Sequence, residues 1–201
     1  MISTFDEVRE ILGSPNANLE KKIYRYLNPR MVRFIEHSPL VFISTIDSEG
    51  FPTISPKGDH PGFVKVEGTS TLYLPERKGN KLAFSFQNIL QGSKAALLFI
   101  VPGTHEVLRV QGGCELLNDT EINRQLASHS HDALLVNRFT VDTCYFHCGK
   151  ALLRSQLFSP DLVLEDMQIS FGLELSDNGG FDRCEADAFD LGVKGRYKTD
   201  L

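Results

Sequence analysis

Apolar residues recur every three or four places through the first forty positions and then alternate with polar ones, so the chain opens helical and turns to strand. Phe5, Val8, Ile11 and Leu12 form one helical stripe behind Thr4, which makes a capping box with Glu7, and Gly13 is the stop. Turn chemistry over 14–18 precedes Leu19, Ile23 and Leu27; Met31, Phe34 and Ile35 continue the helical spacing beyond Asn28-Pro29. Two further helical segments are therefore predicted, ending near Ser38-Pro39. VFISTI and FPTIS flank the turn DSEG as a β-hairpin, and after the loop KGDHPG the runs FVKV and TLYLP make two more strands joined through Glu67-Gly68-Thr69-Ser70. From Gly79, the positions Leu82, Phe86, Ile89 and Leu90 fit one helical face closed by Gly92. A strand AALLFIV, the turn PGTHE and a strand VLRVQGGCELL follow, with a bulge or sharp bend at Gly112-Gly113. Asp119 or Asn118 caps a short helix through Leu126, LLVNRFTVDTCYFH is a kinked β-rich run, and Lys150 to Leu157 is helical. Residues 161–201 have no clean period. Six or seven hairpin-joined strands with flanking helices predict a mainly β, α+β fold, a barrel or sandwich in preference to a parallel α/β sheet.

Composition narrows the partners. With 201 residues, 41% hydrophobic and 23% charged, the chain suits one ordinary folded domain with extensions. The formal charge of −5 has the wrong sign for a polyphosphate partner, so no nucleic acid is expected. No run approaches the roughly 18–20 apolar residues of a bilayer span, and the acidic opening MISTFDEVREIL is unlike a secretory signal. A cytoplasmic protein without a membrane partner is the expectation. Cys114, Cys144, Cys148 and Cys184 form no CxxC pair and read as reduced thiols.

Neither GxGxxG nor GxxxxGK[ST] is present. Two loops instead concentrate phosphate-binding groups: Ser55-Pro56-Lys57-Gly58-Asp59 after a strand, and Pro75 to Lys81 between a strand and a helix. A helix starting near Gly79 or Asn80 would direct free amides and the positive end of its dipole at a dianion, Gly79 would allow close approach, and Arg77 and Lys81 would supply charge-assisted hydrogen bonds. A solvated basic turn capped by Asn80 accounts for the same spacing, as an ordinary strand exit does for Ser55 to Asp59. Arg109 falls on the face of its strand opposite the apolar neighbours. Cys144, His147 and Cys148 place three metal-ligand types in five residues but lack a distant pair, and a strand sets His147 on the other face from both thiols. His129 and His131, two apart in a polar loop, carry no ligand pattern either, so no metal site is expected.

Taken in order, FISTIDSEGFPTISPKGDHPGFVKV, LYLPERKGNKLAFSFQNIL, ALLFIVPGTHEVLRVQGGCELL and YFHCGKALLRSQLF resemble the flavin-nucleotide-binding branch of the pyridoxamine 5'-phosphate oxidase-like family. The resemblance covers about residues 40–158 and divides the chain into an N-terminal helical extension (1–40), a split β-barrel of about six antiparallel strands (41–158) and a C-terminal extension (159–201). It implies a homodimer holding FMN in clefts at the subunit interface. Thr53, Ser55 and Lys57 would line the flavin, and Arg77, Gly79, Asn80 and Lys81 would hold its phosphate. Arg109 would approach the cofactor, with His147 and Lys150 near the cleft. The implied activity is an FMN-dependent oxidoreductase with a small-molecule substrate; a non-catalytic flavin-binding or sensing module is the alternative. A haem- or deazaflavin-binding split barrel is another, with His147 as the first haem ligand to test. The vitamin-converting oxidases of the family end in a motif with Trp and Arg, whereas this chain has no Trp and ends GVKGRYKTDL, so that particular activity is not implied.

Overall fold

The computed structural model describes residues 1–79, 81–129, 131–162 and 167–200. The chain forms two compact units, one of Met1–Arg77 with Leu82–Gln156 and one of Lys78–Lys81 with Leu157–Leu201.

The first unit begins as its local chemistry dictates. Helix α1 (Phe5–Leu12) has the full capping box, with the Thr4 amide donating to Glu7 Oε2 at 2.9 Å and the Glu7 amide to Thr4 Oγ1 at 3.3 Å, and it ends at Gly13. A single 3₁₀ turn, Leu19–Lys22, precedes α2 (Pro29–Glu36). Pro29 opens α2 and Asn28 caps it by accepting from the Arg30 and Met31 amides, both at 3.1 Å; Met31 and Ile35, one turn apart, enter the core.

The strands are β1 (Leu40–Ile46), β2 (Pro52–Gly58), β3 (Lys65–Glu67), β4 (Thr71–Glu76), β5 (Lys94–Ile100), β6 (Glu106–Leu117) and β7 (Leu135–Cys148). They form one seven-stranded antiparallel sheet in the order β2-β1-β5-β6-β7-β4-β3. In β1 every second residue is buried, and Val41 and Ile43 join Leu74, Phe99, Leu108 and Phe139 in the main core. The expected irregularity in the long β6–β7 ladder is present as a register shift between Gln111 and Gly112. Gly112 is required there, because a Cβ would lie 1.8 Å from the Thr140 carbonyl oxygen.

Helix α3 (Phe84–Gly92) packs on β1, β2 and β6, and α4 (Thr120–Gln125) is capped by Asp119. Helix α5 (Lys150–Ser155) closes the unit. The helix expected from Gly79 or Asn80 starts later: Ala83 is left-handed, φ 56°, which interrupts helical geometry ahead of Phe84. Its stop is likewise the left-handed Ser93, one residue beyond the expected Gly92.

In the second unit, α6 (Phe171–Gly179) and α7 (Arg183–Thr199) give helical order to a stretch with no clean period. The two helices approach closely at Gly172, where a Cβ would lie 2.1 Å from the Ala186 carbonyl oxygen. Asp182 caps α7 in a capping box with Glu185. Among the described residues, no helix is long and apolar enough to cross a membrane.

Candidate functional site

β2 is an edge strand whose alternation sets two faces. Thr53, Ser55 and Lys57 are half-buried on one, while Pro52, Ile54, Pro56 and Gly58 are exposed on the other. Thr53 Oγ1 lies 2.8 Å from Thr45 Oγ1 on the neighbouring strand, and the buried Asn88 of α3 donates to both hydroxyls at 3.1 and 3.0 Å. Thr45 and Asn88 are a fixed polar support that the chain's periodicity does not announce.

β2 and β4 are separated by four strands in the sheet order, yet their ends meet. Lys57 Nζ lies 2.5 Å from Glu76 Oε2 with side chains only 9% and 5% exposed, and Arg77 Nε donates to Asp59 Oδ2 at 2.8 Å. The sheet therefore curls until its far strands are joined by side chains and not by backbone pairing, which is the construction of a split barrel. The clasp is completed by Asn137 of β7, which donates to Glu76 Oε1 at 2.8 Å, and by Lys57 lying 5.2 Å from the Phe86 ring centroid.

Arg77 is held further by donating from Nη2 to the Leu126 carbonyl at 2.8 Å, and its Nη1 is buried with no hydrogen-bond partner among the described residues. Burial pushes the Asp59 carboxyl up, but the His60 amide, the Ser128 hydroxyl and the Arg77 guanidinium outweigh it and hold the group below the usual aspartate range. Asp59, Arg77, Phe63, Ser128, His60 and His129 border a cavity of about 330 Å³.

The remaining predicted residues are placed as follows. Gly79 (φ 122°) and Lys81 belong to the second unit, where the Lys81 amide donates to the Gly79 carbonyl at 2.9 Å; Asn80 lies outside the described residues. With α3 starting at Phe84, its first-turn amides are several residues beyond the Gly79-Asn80 position expected for a phosphate. Arg109 is exposed opposite Tyr145, whose hydroxyl is 3.4 Å from Nη1. His147 is half-buried, its Nδ1 3.1 Å from the Cys148 carbonyl, and Lys150 is exposed at the start of α5. Among the described residues no hydrogen bond joins Arg109, His147 or Lys150 to the clasp.

The thiols divide by position. Cys144 is buried with Sγ 3.2 Å from the Tyr26 carbonyl, whereas Cys148, four residues on in the same unbroken register, is exposed at the strand end. Burial raises the Cys144 thiol above its ordinary value and pushes Cys114 to about 12. Spacing also gave no hint that Asp59, His60 and His129 converge, with one ligand atom from each within 4.8 Å of the others.

A family profile described as pyridoxamine 5'-phosphate oxidase matches residues 27–148, more than half of the chain. Among curated proteins none matches. Of solved structures, HupZ of Group A Streptococcus is 18% identical with a TM-score of 0.50, covering 60% of this chain and 93% of that one. A Lactobacillus delbrueckii protein described as a candidate pyridoxamine 5'-phosphate oxidase is 24% identical, TM-score 0.49, covering 61% of this chain and 95% of that one. A Clostridium acetobutylicum protein related to general stress protein 26 is 16% identical, TM-score 0.43, over 58% and 84% of the two chains. The HupZ likeness agrees with the split barrel built above.

Proposed function

This chain belongs to the pyridoxamine 5'-phosphate oxidase family, and on that premise we propose that it binds FMN and serves as an oxidoreductase for a small molecule. The observation that carries the reading is the buried, unpartnered Nη1 of Arg77, a fixed guanidinium N–H suited to a phosphate oxygen. Bound FMN supplies the capacity to accept and return a hydride or electrons. The protein's part is binding and orientation. Thr53 is immobilised by Thr45 and Asn88, which fixes the polar face of β2; Ser55 adds a half-buried hydroxyl, and Lys57 a cation held in place by Glu76. The family pattern adds Asn80 and Lys81 to Arg77 as phosphate ligands, with Gly79 giving close approach, and Arg109, His147 and Lys150 at the cleft.

A homodimer with FMN at its interface is part of the same proposal. Ile54 on β2 and Phe84 and Leu90 on α3 are 67%, 56% and 74% exposed, an apolar set that a second copy would cover. A cytoplasmic setting is consistent with this chemistry.

The test is a visible absorbance spectrum of untagged purified protein, with mass spectrometry of the released chromophore. Two flavin bands and released FMN are expected, and Arg77→Ala should weaken FMN binding about tenfold or more through loss of a charge-assisted hydrogen bond. A colourless protein that takes up no added FMN, or release of haem or a deazaflavin, would overturn the cofactor assignment. Reduction of the bound flavin by no nicotinamide or other donor would leave a binding module and remove the oxidoreductase part.

A further inference from the structure

Where β2 ends, the chain places a carboxylate and an imidazole side by side, Asp59 and His60, and the fold brings residues 126–129 over them. His60 Nε2 and His129 Nε2 are 2.7 Å apart with ring centroids at 4.6 Å, although the residues are 69 apart in sequence. Two protonated Nε2 atoms cannot face each other at that distance, so the pair presents at least one lone pair to the space between the rings. An Asp59 carboxylate oxygen completes a group of three ligand atoms lying within 4.8 Å of one another.

Each member is held from behind. Asp59 accepts from Ser128 Oγ at 2.9 Å, from Arg77 Nε at 2.8 Å and from its neighbour's amide at 2.7 Å, so its orientation is fixed. His129 sits at the tip of a tight turn in which Ser128 and His131 exchange amide-to-carbonyl hydrogen bonds, both 2.9 Å. Its backbone is left-handed, φ 48°, an uncommon state for histidine that this turn imposes. Both imidazoles are exposed at the rim of the 330 Å³ cavity, which gives an ion a path in and leaves coordination positions for water.

We infer that Asp59, His60 and His129 form a binding site for a late first-row divalent transition metal of the zinc type. Two imidazoles and one carboxylate are a borderline donor set, matched to zinc and its neighbours and not to the all-oxygen preference of magnesium or calcium. Ligands about 2.1 Å from a tetrahedral ion lie about 3.4 Å apart, so the two Nε2 atoms need to separate by less than about 1 Å from their present contact. The Arg77 guanidinium on the second Asp59 oxygen opposes the ion's charge, which makes this a labile site and not a permanent structural one. The inference does not rest on the flavin reading, since none of the three ligands is assigned a contact with the cofactor and Asp59 meets that reading only as the anchor of Arg77.

The test is equilibrium dialysis of the untagged full chain, stripped with a chelator and dialysed against Zn²⁺, with Co²⁺ absorption as a second readout. One Zn²⁺ per chain is expected, together with cobalt ligand-field bands free of thiolate charge transfer. His60→Ala and His129→Ala should each weaken Zn²⁺ at least about tenfold; both side chains are exposed, so the fold should be retained by circular dichroism. The double variant Cys148→Ser/Cys184→Ser should bind as the parent does. No bound Zn²⁺, unchanged affinity in His129→Ala, or loss of binding only in the cysteine variant would overturn the site.

Discussion

The clasp between Lys57 and Glu76 makes a quantitative prediction about the barrel. Lys57→Met keeps the length and the apolar contact with Phe86 but removes the ammonium, stranding a Glu76 side chain that is 5% exposed with Asn137 as its remaining donor. Breaking one partner out of a buried pair costs about 3–5 kcal/mol, because the residual charge has neither water nor counter-ion. At roughly 3 °C per kcal/mol for a chain of this size, the melting temperature should fall by about 10–15 °C. Glu76→Gln alone strands the ammonium and should cost a similar amount. Combining the two removes both charges while the amide oxygen still accepts from Asn137. The double variant should therefore lose about 2–3 kcal/mol less than the sum of the single losses. Urea unfolding followed by circular dichroism, on all four proteins at one pH, gives the cycle. Single losses below about 1 kcal/mol, or strict additivity, would refute the argument that these two charges hold the split edges together.

Two further outcomes follow from packing and burial. Gly112→Ala forces a Cβ to 1.8 Å from the Thr140 carbonyl oxygen and must open the β6–β7 ladder, so thermal unfolding should show a loss above about 3 kcal/mol. Gly113→Ala meets nothing nearer than the Ser93 carbonyl oxygen at 3.8 Å and should be close to neutral; equal effects would remove the steric explanation. A thiol-reactive disulfide reagent at mildly alkaline pH should modify the exposed Cys148 and Cys184 in the native protein. Cys114, with its thiol pushed up to about 12, and the buried Cys144 should react only after denaturation, and rapid native labelling of either would contradict that placement.

The sequence by itself determined the parts of this protein that local chemistry controls. The Thr4–Glu7 box, the Asn28-Pro29 start of α2 and the Asp119 cap satisfy helix ends with groups a few residues away, so their positions could be read from the chain. Strand alternation and the irregularity at Gly112 were legible for the same reason, as was the family pattern carried by the strands and loops. The start of α3 was not, because the left-handed turn at Ala83 leaves no mark in hydrophobic spacing. Nor did spacing reveal that Lys57 is matched by Glu76, that Arg77 is tied to Asp59, or that Asp59 and His60 meet His129. Those encounters depend on how far a sheet ordered β2-β1-β5-β6-β7-β4-β3 curls before its distant strands come within side-chain reach. Curl is a collective property of twist and core packing over all seven strands, and only the tertiary structure decided which charged groups it would bring face to face.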